Sequence, residues 1–281
     1  MNRQPTVVVV IASFFWIAGT APAQWLNYPT PGVPRLPDGK PNLRAPAPRL
    51  PGGKPDLSGI WGADCVYATG CPKSLFFDLA RDLKASEVEM TPWAAGVQAQ
   101  RESREHVDDP LADCLPAGVP RMAFQGAFKI LQTPSVTAFL YEGYPGPLFR
   151  QVLTDGRPLP PVNDHTWMGH SIGRWEGETF VVETDGFRDG GWLDTLKARP
   201  HSDALRLTER YRRVEFGRID WTITIDDPKA YRKPWTVKAA FHLLPDTELL
   251  EGFCAEGEAE TIKHRRITPP PPEPPSVPVA R

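Results

Sequence analysis

Within "WMGHSIGRWEGETFVVET", Trp167 to Thr184, one histidine and one mid-strand carboxylate, His170 and Glu183, sit on alternating apolar runs either side of "EG". Imidazole and carboxylate are the groups that proton transfer uses. The carboxylate orients the ring and raises its pKa, and the ring moves the proton. A type I′ turn centred on Glu176-Gly177 puts Gly at the second, positive-φ position. That register sets Arg174 against Thr179, Ile172 against Val181 and His170 against Glu183. Met168, His170, Ile172 and Arg174 then share a face with Thr179, Val181 and Glu183. The competing reading is a solvated cross-strand ion pair, worth under about 1 kcal/mol.

A second charged hairpin turns at Phe216-Gly217. Glu215 is expected opposite Arg218, and Arg213 opposite Asp220. Glu209, Tyr211 and Arg213 share one face, Arg210 and Arg212 the other. One of Glu209 and Arg210 must therefore point inward, where a charge needs a partner or a ligand. An anion clamp for a ligand carboxylate and a buried ion pair are both open. Arg174, Arg210, Tyr141, Trp167, Trp192 and His201 complete the candidate ligand-binding set. Trp175, Trp221 and Trp235 read as core or rim plugs. The glycine-rich loop Asp185–Asp203, with Trp192 in its middle, is a candidate lid.

Other chemistry is weaker. Asp164, His165, His170 and His201 lack diagnostic metal spacing, so no metal is expected. Ser171, His201 and Asp194 could be drawn as a triad. "GHSIG" has the nucleophile-elbow spacing but runs into a hairpin, whereas an elbow needs a helix. No phosphate-cradling glycine motif precedes a helix, so no nucleotide cofactor is expected. A formal charge of −2 carries no basic footprint for nucleic acid.

The elements that must position these groups are short alternating runs parted by Gly, Pro and Asp. They are Phe128–Gln132, Val136–Glu142, Phe149–Thr154, Met168–Arg174, Thr179–Thr184, Leu205–Val214, Arg218–Ile225, Trp235–Leu243 and Glu248–Cys254. Such a series predicts an antiparallel meander that curls to remove its edges. The expected fold is mainly β: a lipocalin-like, calycin-type barrel or a curled sheet. A helical pair over 74–107 packs outside it. Its two pieces divide at Thr91-Pro92, a cap followed by a first-turn proline. "LPDGKPNL" and "LPGGKPDL" repeat one frame and read as extended proline-rich strap, with Ile60 and Trp61 entering the core.

The chain opens on a short basic segment, an apolar run and Ala21-Pro22-Ala23, which reads as a signal peptide of residues 1–23 cleaved near Ala23-Gln24. Residues 24–58 are the strap, 59–266 one domain, and 267–281 a proline-rich tail. The expected location is secreted or periplasmic, without a membrane span. Four cysteines in an exported chain favour disulfides. Three pairings exist; Cys65–Cys71 with Cys114–Cys254 is preferred.

The phrases "GGKPDLSGIW", "CLPAGVPRM", "FKILQTP", "GHSIGRWEGETFVVETDGF", "HSDALRLTERYRR", "DDPKAYRKPW" and "ELLEGFCAE" resemble a family of poorly characterised exported bacterial proteins. The family has Gly-Asp-Thr where this chain has Gly177-Glu178-Thr179. The resemblance implies export and one domain, and no activity. Three functions follow from the residues. The first is a barrel binding an apolar, aromatic or carboxylate-bearing small molecule. The second is a lyase, isomerase or hydrolase using His170 and Glu183. The third is a structural or interaction protein.

Overall fold

The computed structural model describes residues 28–63, 74–143, 145–161 and 164–254. Residues 1–23, read above as a signal peptide, Cys65, Cys71 and the proline-rich C-terminal tail lie outside them. Nine strands form one closed barrel in sequence order: β1 (Gly59–Ala63), β2 (Phe128–Gln132), β3 (Val136–Tyr141), β4 (Leu148–Leu153), β5 (His170–Glu176), β6 (Thr179–Asp185), β7 (Arg206–Glu215), β8 (Arg218–Asp226) and β9 (Trp235–Leu243). Eight of the nine expected runs are strands. Glu248–Cys254 is not. The barrel is closed instead by β1, whose Trp61 is the Cα partner of both Phe128 on β2 and Leu243 on β9. Five residues with two glycines carry too little alternation to announce a strand; pairing on both sides supplies what propensity does not.

The meander is antiparallel except at one place. Strands β4 and β5 run parallel and pair only at Val152–Ser171 and Leu153–Ile172. A parallel step needs a crossover, here the segment between Leu153 and His170, in whose described residues no strand or helix forms.

The inward positions are filled. Phe128 meets Phe241 edge-on at 4.9 Å, Phe139 lies 5.5 Å from Tyr211, and Phe124 lies 5.4 Å from Trp221. All these side chains are buried. Each contributes about 1.5–3 kcal/mol by leaving water.

Among the described residues one α-helix, α1 (Pro92–Ser103), stands where a pair was expected. Thr91 caps it by accepting from the Ala94 amide, with Pro92 in the first turn. The Ser74–Met90 stretch is turns and a single 3-10 turn at Ala85–Glu87. Its backbone is tied to the 185–203 loop: the Asp194 carboxylate accepts from the Leu79 amide at 3.0 Å. That tertiary contact competes with helical periodicity and wins.

The strap also differs from a plain extended run. Each repeat folds into a tight loop with the same hydrogen bonds fourteen residues apart. Leu36 N donates to Lys40 O at 2.8 Å, and Leu50 N to Lys54 O at 2.8 Å. Arg35 pins the first loop to Asp246 at 2.5 Å, and Arg49 pins the second to Glu178 at 2.6 Å. Cys114 and Cys254 are bonded, with Cα atoms 5.5 Å apart. Among the described residues no helix is long and apolar enough to cross a membrane.

Candidate functional site

The hairpin β5–β6 turns one residue later than expected. Glu176 pairs Thr179, leaving Gly177-Glu178 as the loop, and only Gly177 has positive φ (61°). This is the type II′ pattern, with Gly first. It spares Glu176 the positive φ that a type I′ turn would impose. Moving the turn by one residue moves the pairing by two. His170 therefore faces Asp185, Ile172 faces Glu183 and Arg174 faces Val181. An even shift preserves the faces, so His170, Ile172, Arg174 and Glu183 still share one. It is the outer face. Ser171, Phe180, Val182 and Thr184 point into the bore and are buried.

His170 and Glu183 are thus not opposed, and each has another partner. The His170 Nε2 lies 3.0 Å from the Asp164 carbonyl. A carbonyl only accepts, so Nε2 carries the proton and Nδ1 is the free acceptor of the neutral ring. Glu183 accepts from Arg174 Nη1 at 2.6 Å, and Arg210 reaches Glu176 at 2.7 Å. These four form an exposed chain near the turn. The guanidiniums hold the Glu176 carboxyl below the usual carboxylate range, the hydrogen bonds of Arg210 and Arg174 being the chief cause.

Of the consecutive pair on β7, Glu209 and not Arg210 points inward. Its partner is Arg150 on β4, a residue absent from the sequence candidates. Arg150 reaches across two intervening strands. Its Nε donates to Ser171 Oγ at 2.9 Å, and its Nη2 to Thr184 Oγ1 at 2.6 Å and Glu209 Oε2 at 2.5 Å. Glu209 Oε1 accepts from the Tyr211 hydroxyl at 2.6 Å and the Trp221 indole at 3.3 Å. Burial pulls the Arg150 pKa down, but the charge of Glu209 and the two tyrosines more than offset this and hold it above the ordinary value. Burial pushes the Tyr141 hydroxyl up to about 12, Arg150 working against it. Tyr141 is therefore a neutral wall of this network. The network has a structural consequence. Where the β4–β5 ladder is thin, Arg150 joins β4 to β5, β6 and β7 through side chains.

On the second hairpin Glu215 does face Arg218. A bulge between Arg213 and Glu215 then sets Arg213 against Ile219 and Arg212 against Asp220. Arg213 turns inward onto Trp61 and donates to the carbonyls of Phe216 and Asp56.

The expected lid is packed down. Trp192, Leu193, Asp194, Ala198 and His201 are buried. Arg101 stands 4.8 Å over the Trp192 ring and donates to Ala198 O at 3.1 Å. Arg199 binds Asp194 and Asp78. Trp192 and His201 are thus set in a plug, and Trp167 lies under Arg188 at 4.6 Å.

Two hollows lie outside the bore, on both flanks of the β4–β5 crossover. The crossover's descending limb docks on the β6 exit: Thr166 N donates to Gly186 O at 2.9 Å and accepts from Arg188 N at 3.0 Å. Gly169 (φ 65°) permits the approach, because a Cβ there would stand 2.7 Å from the Asp185 carbonyl oxygen. One flank is a cleft of about 440 Å³ over the thin β4–β5 junction. Phe149, Leu153, Pro160 and Met168 give it apolar walls, and Gln151, Thr166, His170, Arg150 and Ser171 are its polar residues. The other flank is a hollow of about 590 Å³, where Leu159, Ile172 and Pro234 meet Glu183, Asp185, Arg206 and Asp226. His170 and Glu183 thus line neighbouring hollows rather than one site.

No family model, curated protein or solved structure matches this chain.

Proposed function

We propose that this is an exported barrel that binds a small apolar or aromatic molecule on its outer wall, in the cleft between the β4–β5 junction and the crossover. The observation that carries the reading is the division of space. The bore holds packed aromatic rings and a buried ion pair, while the cleft of about 440 Å³ stays open with four large apolar residues and five polar ones around it. Few convergent polar groups in an apolar hollow of this size is the usual make-up of a small-molecule site. Within it, Nδ1 of His170 accepts a hydrogen bond from a ligand hydroxyl or amide, and Phe149 and Met168 contact the apolar body. Export rests on the basic-apolar-Ala-Pro-Ala leader and agrees with the Cys114–Cys254 disulfide.

Native mass spectrometry of the exported protein tests this, followed by release and identification of any retained small molecule. The expected result is an apolar or aromatic adduct that Met168→Glu abolishes while the fold persists. A folded protein without an adduct, and with no thermal shift from aromatic alcohols or amides, overturns it. A second reading, docking of a protein partner, has one observation in its favour. The outer face of β2–β4 carries Leu131 and Phe149 at 43% and 63% exposure, with Val136, Ala138, Leu140 and Leu153 around them. Cross-linking with retained Phe149→Asp sensitivity, in the absence of any small adduct, would favour that reading.

A further inference from the structure

On the outer face, at the end of the sheet away from the hairpin turn, strands β5 to β8 present a row of four ionisable groups. Asp185 on β6 pairs His170 on β5, and Arg206 on β7 pairs Asp226 on β8. The β6–β7 ladder ends at Thr184–Leu207, so Asp185 and Arg206 occupy the next step. Thr184, Leu207 and Ile225, the neighbours in sequence, point inward and are buried, which puts Asp185, Arg206 and Asp226 on one outer face. Cross-strand neighbours stand about 5 Å apart at Cβ.

Elsewhere on this wall several charges are paired within the chain. Glu183 goes to Arg174, Glu176 to Arg210, and Asp203 to Lys229 at 2.6 Å. Arg206 and Asp226 form no ion pair or side-chain hydrogen bond among the described residues, and the Asp185 Oδ1 accepts none. An unpaired carboxylate, an unpaired guanidinium and a second carboxylate thus stand in line. All three line the hollow of about 590 Å³, and all three also line an adjoining one of about 310 Å³ that includes His165. The larger hollow continues into an apolar wall of Leu159, Ile172 and Pro234.

We propose that this row is a second binding site, separate from the apolar cleft, for a small zwitterion: an α-amino acid with an aliphatic side chain. The Arg206 guanidinium takes the ligand carboxylate through paired N–H donors, the geometry that favours arginine over lysine for this purpose. Asp185 and Asp226 flank it and take the ammonium, supplying the acceptors that an –NH3+ group needs. The aliphatic side chain lies against Leu159 and Pro234. A simple amine would leave Arg206 unpaired, and a simple carboxylate would leave Asp185 unpaired, so each loses one charge-assisted contact.

The test is calorimetric titration of the full exported protein, at low ionic strength, with three probes that share one side chain: leucine, 3-methylbutylamine and 4-methylpentanoate. Leucine is expected to saturate, with a Kd at least about tenfold below either analogue, a factor that one charge-assisted contact readily supplies. Arg206→Gln should abolish the advantage of leucine over the amine, so that leucine binds no better than the amine. Asp185→Asn should narrow the gap between leucine and the carboxylate, Asp226 still holding the ammonium. Asp226→Asn, at an exposed position, repeats the ammonium arm if Asp185→Asn does not fold. Equal binding of the three probes, or no saturation with folded protein, overturns the proposal. So does leucine binding that survives Arg206→Gln but is lost in Met168→Glu, which would assign it to the apolar cleft. Loss of the apolar adduct with leucine binding intact would overturn only the outer-cleft reading.

Discussion

Glu209 and Arg210 are consecutive residues on one strand, and their ion pairs could hardly differ more. Glu209 points inward to Arg150, with side chains 2% and 1% exposed. Arg210 points outward to Glu176, part of a chain in which Arg174 and Glu183 are 50% and 36% exposed. The chemistry is the same guanidinium and carboxylate. The surroundings decide what the pair does. Outside, water screens the attraction and two long side chains lose entropy to hold it. Inside, both charges have shed their hydration, and neither tolerates losing the other. The inner pair also has a mechanical role, because it spans the one junction with a thin backbone ladder.

The largest effect expected is from Arg150→Met. It strands a buried carboxylate and should cost about 3–5 kcal/mol in urea unfolding. Hydrogen exchange should rise first at β4 and β5, and last at the long β7–β8 hairpin. Uniform acceleration across the barrel would show that Arg150 is only a core residue and not a clasp. Next is the double-mutant cycle. Arg150→Met with Glu209→Leu should be less destabilised than the summed single variants by at least about 2 kcal/mol. It will not return to the parent, because the Tyr211 hydroxyl and Trp221 indole lose their acceptor. Each orphaned donor costs about 1–3 kcal/mol.

His201 extends the comparison to a buried base that no arginine–carboxylate pair neutralises. Burial holds its imidazole below the ordinary value, and the Ser202 carbonyl and the charge of Asp227 only partly oppose this. The unfolded chain therefore binds this proton more readily than the folded one. Stability present above the unfolded value of about 6.5 is lost as the pH falls through the lower folded value. His201→Gln should flatten that part of the stability–pH profile; an unchanged slope would assign the pH dependence to other groups. The smallest effect belongs outside. Arg174→Ala and Glu183→Gln should each cost under about 1 kcal/mol, with coupling that fades in about 1 M salt. A coupling as large as the inner one would collapse the distinction.

Much of the barrel was legible in the residues, because alternation is a local property. Phe128–Gln132, Arg218–Ile225 and Trp235–Leu243 announce themselves through it. The Thr91-Pro92 helix start was legible for the same reason: cap and first turn are adjacent in sequence. So was the inward turn of one charge at Glu209–Arg210, since period two forces neighbours apart. The bond between Cys114 and Cys254 followed from even cysteine usage and position.

What the chain alone could not decide was every relation set by partners distant in sequence. A turn of type II′ rather than I′ moved His170 from Glu183 to Asp185, and both turns fit the letters "EGET". The partner of Glu209 lies 59 residues away, and Arg150 has no local feature to separate it from Arg174 or Arg210. The 185–203 loop has a lid's composition, yet Arg101 from α1 and Asp78, which binds the loop's own Arg199, hold it down. Gly59–Ala63 is a strand only because β2 and β9 leave one place open between them. Periodicity says which side of an element a residue takes. Closure of the barrel determines which side is the inside, and there the low dielectric separates a structural ion pair from a surface one.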